Sequence, residues 1–158
     1  MSDGFTHLDE VGAARMVDVS GKVVSVREAV ATGRVLVSAE VVRLLRGGGS
    51  LPKGDALAVA RIAGIQAAKR TPDLVPLCHP IAIHGVAVDL VVGDDGVAIT
   101  ATVRTADRTG VEMEALTCVS VAGLALVDMV KAVDPAAVIT DVRVDSKTGG
   151  ASGDWHRD

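Results

Sequence analysis

Aromatic side chains are nearly absent from this 158-residue sequence, which contains one Phe, one Trp and no Tyr. The core must therefore be built from Val, Ala, Leu and Ile. Such a core has few bulky anchors, and burial of further surface between subunits compensates for this, so the composition favours an oligomer. Hydrophobic residues make up 49% of the chain and charged residues 23%, which excludes a disordered or low-complexity protein. The length predicts a single domain, residues 1–158.

Cysteine is scarce as well, with only Cys78 and Cys118 in the chain. Their spacing matches neither a disulfide framework nor a CxxC site, so we expect free thiols in a reducing compartment. The first ten residues are polar where a secretory signal needs an apolar stretch, and no apolar run approaches the roughly 18 residues of a membrane span. We therefore expect a soluble, cytoplasmic protein that binds no membrane.

Basic residues are not in excess, because the formal net charge is -4 and the pI is about 5.5. This balance gives no general attraction for nucleic acid, which we do not expect as a partner. An anionic ligand would need a local cluster of Lys and Arg. Small phosphorylated molecules fit that requirement.

Hydrophobic periodicity and turn residues predict an α+β chain. Residues 23–37 fit a strand or a helix, and the pattern does not decide between them. The other predicted elements are a mobile N-terminus (about 1–10), a short strand (15–19), a helix capped by Ser38 and ending at Arg46, a glycine loop to residue 53, a helix (55–69), an extended proline-rich loop (72–80), a hairpin (85–92 and 97–105), a helix (112–133), a strand (138–144) and a glycine-rich tail (147–158).

This order matches a ferredoxin-like antiparallel sheet with two helices packed on one face. The helix at 55–69 is apolar nearly all round, so we expect it to be buried on more than one face. The opposite face of the sheet would also need cover. Both features again favour assembly into an oligomer.

The proline-rich loop carries Cys78 and His79 side by side. In an extended backbone their side chains point to opposite sides, so they would not form a nucleophile and base pair. His79 can be a structural hydrogen-bonding residue, or a ligand contact held in a loop that the flanking prolines fix. Metal binding by Cys78, His79 and Cys118 matches no standard zinc spacing.

The long helix carries Asp128 and Lys131 three residues apart, so the two side chains share a face. They are either a solvated ion pair or a proton-transfer pair. Because the surrounding residues are apolar, we expect the pair to be partly buried, with perturbed pKa values. Glu112 and Glu114 open the same helix, where they either stabilise its N-terminus or contribute to a site.

Several cations are candidates for binding phosphate through a side chain and neighbouring backbone amides. Lys53 precedes Gly54, and Lys147 precedes Gly149 and Gly150. The GxxxxGK[ST] order of a P-loop is absent. Each of these cations, and likewise Lys69 and Arg70, can also be an ordinary surface residue.

Four long strings resemble one known family. They are THLDEVGAARMVDVS (6–20), KGDALAVARIAGIQAAKRTPDLVPLCHP (53–80), RTGVEMEALTCVSVAGLALVDMVKAVD (108–134) and KTGGASGDW (147–155). Together they cover nearly the whole chain, which is similar to the cyclic pyranopterin monophosphate synthase family, also known as molybdenum cofactor biosynthesis protein C.

This resemblance implies a lyase that converts 3',8-cyclo-7,8-dihydroguanosine 5'-triphosphate to cyclic pyranopterin monophosphate and releases pyrophosphate, as an early step of molybdopterin synthesis. It implies a ferredoxin-like subunit in a hexamer built from three dimers, with the active site at the dimer interface. It implies no metal and no cofactor. A non-catalytic oligomeric module that senses a small molecule is the alternative, because a ferredoxin-like fold alone does not determine function.

The resemblance also implies roles for individual residues. Asp128 and Lys131 would be the catalytic pair. Leu77, Cys78, His79, Met113 and Glu114 would contact the substrate, supported by Glu112, Lys53, Lys69 and Lys147. The chain departs from the family pattern at Val127, Val130 and Ala151, and only Ala151 removes a positive charge.

Helix geometry, considered without the family, predicts a site shared between two chains. Glu114 and Asp128 are separated by roughly 21 Å along one helix, and Lys53 and Lys69 by roughly 24 Å if that segment is helical throughout. A nucleoside triphosphate is shorter than either distance. A two-fold axis can set one end of each element against the opposite end in the partner, so that Lys53 serves the neighbouring chain's Asp128.

Overall fold

The computed structural model describes residues 6–47, 51 and 53–158. Residues 1–5 and most of the glycine loop, 48–50 and 52, lie outside this part of the chain. In chain order the elements are β1 (Ser25–Leu36), α1 (Ala39–Arg46), α2 (Ala56–Ala68), α3 (Thr71–Leu74), β2 (Gly85–Val92), β3 (Gly96–Asp107), α4 (Glu112–Val130), β4 (Val138–Thr148) and β5 (Trp155–His156).

The strands form one five-stranded antiparallel sheet in the order β2-β3-β1-β4-β5. The prediction of an α+β chain with an antiparallel sheet is confirmed. The stretch that the sequence left open, 23–37, contains strand β1, which occupies the centre of the sheet. Its pairing with β3 and β4 decides in favour of a strand, since a central position supplies hydrogen bonds on both edges.

Helices α2 and α4 pack side by side on one face of the sheet. Gly64 of α2 lies so close to α4 that a Cβ atom there would be 3.0 Å from the Cys118 carbonyl oxygen. The small residues of this aliphatic core thus allow the two helices to approach closely. Alternate residues of the two central strands are buried beneath these helices: Ala29, Ala31, Val35, Val97, Ile99, Ala101 and Val103.

Helix α2 is not buried on every side. It packs against α4 and β2, yet Val59 and Ile62 remain exposed, Ile62 by 65%. Helix α4 is 19 residues long and by length and hydropathy alone could cross a membrane, which the sequence analysis did not anticipate. More than half of it is buried within this fold, as is typical of a core helix.

Two predicted elements are wrong. Residues 15–19 form no strand, because no neighbouring strand pairs with them. The prolines do not exclude helix from the loop either: Pro72 lies in the first turn of α3, where its missing N–H costs nothing. Helix α4 ends at Val130, three residues before the predicted end, with Lys131 as its C-cap.

The last predicted strand, 138–144, is too short, and the glycine-rich tail contains a further strand. Strand β4 continues to Thr148, and β5 then pairs with Ser146 and Lys147. Gly149 and Gly150 both have positive φ, of 84° and 82°. A Cβ atom on Gly149 would also collide with the backbone carbonyl of Val26, so only glycine fits at this position.

Candidate active site

A cavity of about 310 Å³, named cavity A here, opens at the N-terminal end of α4. The loop after α3 forms one side and the first turn of α4 another. An N-terminal segment, residues 6–22, which we call the strap, closes the third. The predicted site residues Leu77, Cys78, His79, Glu112, Met113 and Glu114 all line cavity A, together with Thr6, His7, Val17, Val19, Lys22, Thr109 and Gly110.

Glu114 is the buried carboxyl group of cavity A, only 3% exposed. Burial raises its pKa to about 7, and the nearby charge of Glu112 adds to the rise. Burial of Cys78 itself, together with the charge of Glu114, raises the pKa of the Cys78 thiol. Glu114 can therefore gain or lose a proton near neutral pH, whereas Cys78 remains a thiol.

The chain turns at residues 76–77, so the backbone before Cys78 and His79 is not extended. Both residues therefore line the same cavity, and the expectation of opposite orientations does not apply. The His79 Nε2 atom lies 2.5 Å from the Val17 carbonyl oxygen of the strap. Because a carbonyl only accepts hydrogen bonds, Nε2 carries the proton in this contact.

A second cavity of about 150 Å³, cavity B, adjoins cavity A. The two share Lys22, Thr109, Gly110 and Glu112 in their linings. Lys147 lines cavity B, where its ammonium nitrogen is 3.2 Å from the Glu112 carboxylate. The remaining residues of this lining are Arg27, Glu28, Val111, Thr148, Gly149 and Ser152. Three cations against two carboxylates give cavity B a net positive lining, which suits phosphate.

The tail shapes cavity B but does not offer every amide to a ligand. The Gly149 N–H donates to Asp154 Oδ1 at 3.0 Å, which occupies one of the backbone donors that the sequence suggested for phosphate. Lys147 Nζ lies 3.5 Å from Ser152 Oγ. The lysine side chain, rather than a nest of free amides, is the feature of the tail that can hold an anion.

A group of charged residues outside both cavities lies at the other end of α4. Asp128 Oδ2 is 2.7 Å from Lys53 Nζ, and Asp128 Oδ1 is 2.7 Å from Lys131 Nζ. Hydrogen bonds from the two ammonium groups lower the pKa of Asp128 to about 2. We call Lys53, Asp128 and Lys131 the lysine–aspartate cluster.

Two expectations about this cluster are wrong for the single chain. Asp128 and Lys131 are not partly buried, since their side chains are 52% and 57% exposed, and lysine contacts rather than burial lower the Asp128 pKa. Lys53 also contacts Asp128 of its own chain. The glycine-containing turn before α2 brings Lys53 back to the end of α4, so a neighbouring chain is not needed for this pair.

The predicted residues therefore form two groups rather than one. Glu114 and Asp128 are fourteen positions apart on α4, or roughly 21 Å along its axis. Lys69 belongs to neither group: it is the exposed C-cap of α2 and lines neither cavity. Within the described ranges, no group of three His, Cys, Asp or Glu residues is arranged to hold a metal ion.

Three further lining residues, Lys22, Arg27 and Thr109, are not among those that the sequence predicted for the site. Lys22 and Thr109 line both cavities, and Arg27 lines cavity B. The family-like string at 6–20 stops two residues before Lys22, and Arg27 lies in the stretch whose structure the pattern left open. Thr109 was within a quoted string but carries no charge. A cation beside Gly21 was the available signal for Lys22.

Comparison with known proteins gives a consistent result. The MoaC family model matches residues 16–150. The cyclic pyranopterin monophosphate synthase of Streptomyces coelicolor is 73% identical over 155 residues, 98% of this chain and 91% of the relative. That of Nocardioides sp. is 70% identical over 163 residues, 99% of each chain. Cyclic pyranopterin monophosphate synthase 2 of Mycobacterium tuberculosis is 61% identical over 156 residues, 99% of this chain and 93% of the relative.

The matched range contains the lysine–aspartate cluster and the lining of cavity B apart from Ser152. It also contains cavity A apart from the first two residues of its lining, Thr6 and His7. The recognised resemblance is thus confirmed over nearly the full length, and the chain belongs to the MoaC family.

Proposed function

We propose that this protein is a cyclic pyranopterin monophosphate synthase of molybdenum cofactor biosynthesis. It converts 3',8-cyclo-7,8-dihydroguanosine 5'-triphosphate to cyclic pyranopterin monophosphate and pyrophosphate, which is a lyase reaction. The relatives at 61% to 73% identity carry the name of this enzyme.

The observation that carries the proposal is the pair of adjoining cavities. Cavity A has a mixed polar and apolar lining with a buried carboxyl group and an imidazole, which suits a ring system with hydrogen-bonding edges. Cavity B carries Lys22, Arg27 and Lys147, which suits a polyphosphate. Since the cavities share a wall, one nucleotide-derived molecule can place its ring in A and its phosphates in B.

The reaction needs charge neutralisation at the phosphates. A new P–O bond forms between a sugar hydroxyl oxygen and the α-phosphorus, and the hydroxyl proton is released. The bond from the α-phosphorus to the bridging oxygen breaks, so that pyrophosphate leaves with that oxygen. Negative charge grows on the departing group. Ammonium and guanidinium groups around it stabilise that charge, as in other phosphoryl transfers.

The ring rearrangement needs proton transfers. With a pKa of about 2, Asp128 stays ionised at neutral pH and is a weak proton acceptor. Its carboxylate instead orients Lys53 and Lys131, whose ammonium groups can deliver protons. Glu114, with a pKa of about 7, is the carboxyl group suited to exchange protons at the other end of the substrate.

The complete site requires two chains, because the two groups lie roughly 21 Å apart on α4. An exposed stripe connects them along the helix. Met113 is 38% exposed and Leu124 58% exposed, Ser120 is half-buried, and Lys131 is exposed. These positions are separated by seven, four and seven residues, spacings that return to one side of an α-helix.

Antiparallel packing of this stripe on the same stripe of a second copy sets each lysine–aspartate cluster against the partner's cavity A. Ser120 and Leu124 then lie near the two-fold axis, on either side of the midpoint between Met113 and Lys131. A C2 contact of this kind is self-complementary and creates two equal sites. The strand order supports a ferredoxin-like subunit. We extend the proposal to a hexamer of three such dimers, as the family resemblance implies, and to a cytoplasmic location, as the sequence leads us to expect.

The test is to incubate purified protein with 3',8-cyclo-7,8-dihydroguanosine 5'-triphosphate. Pyrophosphate and product are then measured, pyrophosphate enzymatically and product by mass spectrometry. Equal amounts of the two are expected. Tight binding of the cyclised triphosphate without pyrophosphate release would favour the non-catalytic sensing module instead.

A further inference from the structure

The strap contributes Lys22 to the wall between the two cavities, although few contacts hold it. Most residues from 6 to 22 are exposed. Within the described chain, two side chains from the folded body bond to the strap backbone: His79 at the Val17 carbonyl, and Arg108 at the Lys22 carbonyl.

Arg108 Nε donates to the Lys22 carbonyl oxygen at 3.1 Å. The Lys22 N–H in turn donates to the Val19 carbonyl oxygen at 3.0 Å, which closes a turn. Arg108 therefore bonds at the residue whose side chain reaches the shared wall.

Arg108 is itself held in place by the sheet. Arg27 of β1 donates from Nε to the Asp107 carbonyl oxygen at 3.1 Å and from Nη2 to the Arg108 carbonyl oxygen at 3.2 Å. The Arg108 N–H donates to Asp107 Oδ1 at 2.7 Å. A continuous set of hydrogen bonds thus connects the central strand to the backbone of Lys22.

The Lys22 side chain, by contrast, has no acidic partner within salt-bridge distance among the residues that the structure describes. Lys147 differs, because Glu112 neutralises it at 3.2 Å. The Lys22 ammonium is thus a positive charge on the shared wall that an anionic ligand can neutralise, provided that its backbone is held.

We infer that Arg108 is a positioning residue: by bonding to the Lys22 carbonyl it fixes the strap so that the Lys22 ammonium can meet a ligand phosphate at the wall shared by cavities A and B. The inference deepens the proposed function and rests on it for the nature of the ligand. Arg108 acts through the strap and has no contact of its own with that phosphate.

The experiment is a double-mutant cycle in the full-length protein, with inorganic tripolyphosphate as the probe and its Kd measured by calorimetry. Arg108→Met removes the donors at similar length, Arg108→Lys keeps one donor, and Lys22→Met removes the ammonium group. Arg46→Gln is the control, since Arg46 forms an exposed ion pair with Asp94 far from the cavities.

We expect Arg108→Met to raise the Kd about fivefold, the effect of losing one hydrogen bond that holds the strap, and Lys22→Met to raise it about tenfold. In the Lys22→Met background, Arg108→Met should add nothing. Arg108→Lys should recover most of the affinity, and Arg46→Gln should match wild type. For turnover, Arg108→Met should raise KM and leave kcat within about twofold.

A further fivefold loss from Arg108→Met in the Lys22→Met background would overturn the inference, because Arg108 would then touch the ligand directly. Unchanged affinity in Arg108→Met would also overturn it. If Arg108→Met is unfolded by circular dichroism, Arg108→Gln, whose shorter side chain does not reach the Lys22 carbonyl, replaces it in the same comparison, alone and with Lys22→Met. The tripolyphosphate measurement needs no turnover, so a wild type that binds it but releases no pyrophosphate from the nucleotide would refute the proposed function alone.

Discussion

The Lys53 ammonium and the Asp128 carboxylate are in contact at 2.7 Å although 75 positions separate the residues in sequence. Lys53 lies just before α2 and Asp128 near the end of α4, so the contact depends on the antiparallel packing of these two helices. Asp128 is also bonded to Lys131. One carboxylate thus orients two ammonium groups that would otherwise repel each other.

Substitution of this carboxylate should abolish turnover. We expect Asp128→Asn and Lys131→Ala each to reduce pyrophosphate release at least a hundredfold, because each removes one member of the group that positions and supplies protons. Both side chains are more than half exposed, so the melting temperature should change by only a few degrees. Asp94→Asn, at an exposed carboxylate paired with Arg46, is the matched control. Near-normal rates in either variant would remove these residues from the mechanism.

Subunit mixing tests whether the two groups of residues come from different chains. Mixed dimers of His79→Ala and Asp128→Ala should contain one intact site, so random exchange should restore roughly a quarter of wild-type activity. Mixtures of Lys53→Ala and Asp128→Ala should stay inactive, because these residues share a chain. Recovery in the second mixture but not in the first would contradict the proposed arrangement. Native mass spectrometry verifies exchange.

The stability of the protein should depend on pH through Glu114. Its pKa is 4.5 in an unfolded chain and about 7 when folded. Between pH 4.5 and pH 7 the Glu114 carboxyl group is therefore protonated in the folded state and ionised in the unfolded state. The free energy of unfolding consequently falls as the pH rises through this range. The difference amounts to up to about 3 kcal/mol above pH 7.

The Glu114→Gln variant should lack this fall. We compare the free energy of unfolding of the variant with that of wild type at each pH. The difference, variant minus wild type, should be up to about 3 kcal/mol larger at pH 8 than at pH 4.5. Urea denaturation at both pH values measures this change. Glu40→Gln is the control, since Glu40 is exposed and its pKa is lowered by Arg43. Parallel pH profiles for wild type and Glu114→Gln would mean that Glu114 titrates normally.

Cys78 should react slowly as a nucleophile, and His79 should contribute more to enzymatic activity than Cys78. Burial and the charge of Glu114 both raise the Cys78 pKa, so little thiolate forms at neutral pH. We expect Cys78→Ser to keep more activity than His79→Ala. Iodoacetamide should modify Cys78 faster in Glu114→Gln than in wild type, in a Cys118→Ala background where it is the only thiol. Equal rates would show that the Glu114 charge does not reach Cys78.

Local sequence patterns were sufficient to predict the elements whose structure depends on neighbouring residues in the chain. Ser38 caps α1 as predicted, accepting a bond from the Val41 N–H, because capping is decided within one turn. Asp55, predicted only as the start of a helix, caps α2 in the same way. The hairpin of β2 and β3 also matched. Residues 23–37 could not be assigned, since their strand pairing depends on partners more than fifty residues away.

The candidate site was predictable only in part, for the same reason. Spacing placed Glu114 and Asp128 too far apart for one ligand, which the structure bears out. Spacing could not show that Lys53 returns to its own chain's Asp128 or that Lys69 lies away from both groups, because both facts depend on how α2 packs against α4. The strap was missed because its role arises from contacts with His79 and Arg108, distant in sequence.

The tail strand places the protein's only tryptophan, Trp155, directly across from Lys147 of β4. Arg157 lies over its ring, 5.4 Å from the centroid. Since the sequence has no tyrosine, ultraviolet emission from the folded protein comes almost entirely from this one indole. Trp155 is therefore an intrinsic fluorescent probe beside cavity B. The wavelength and intensity of its emission will report docking or release of the tail without an added label.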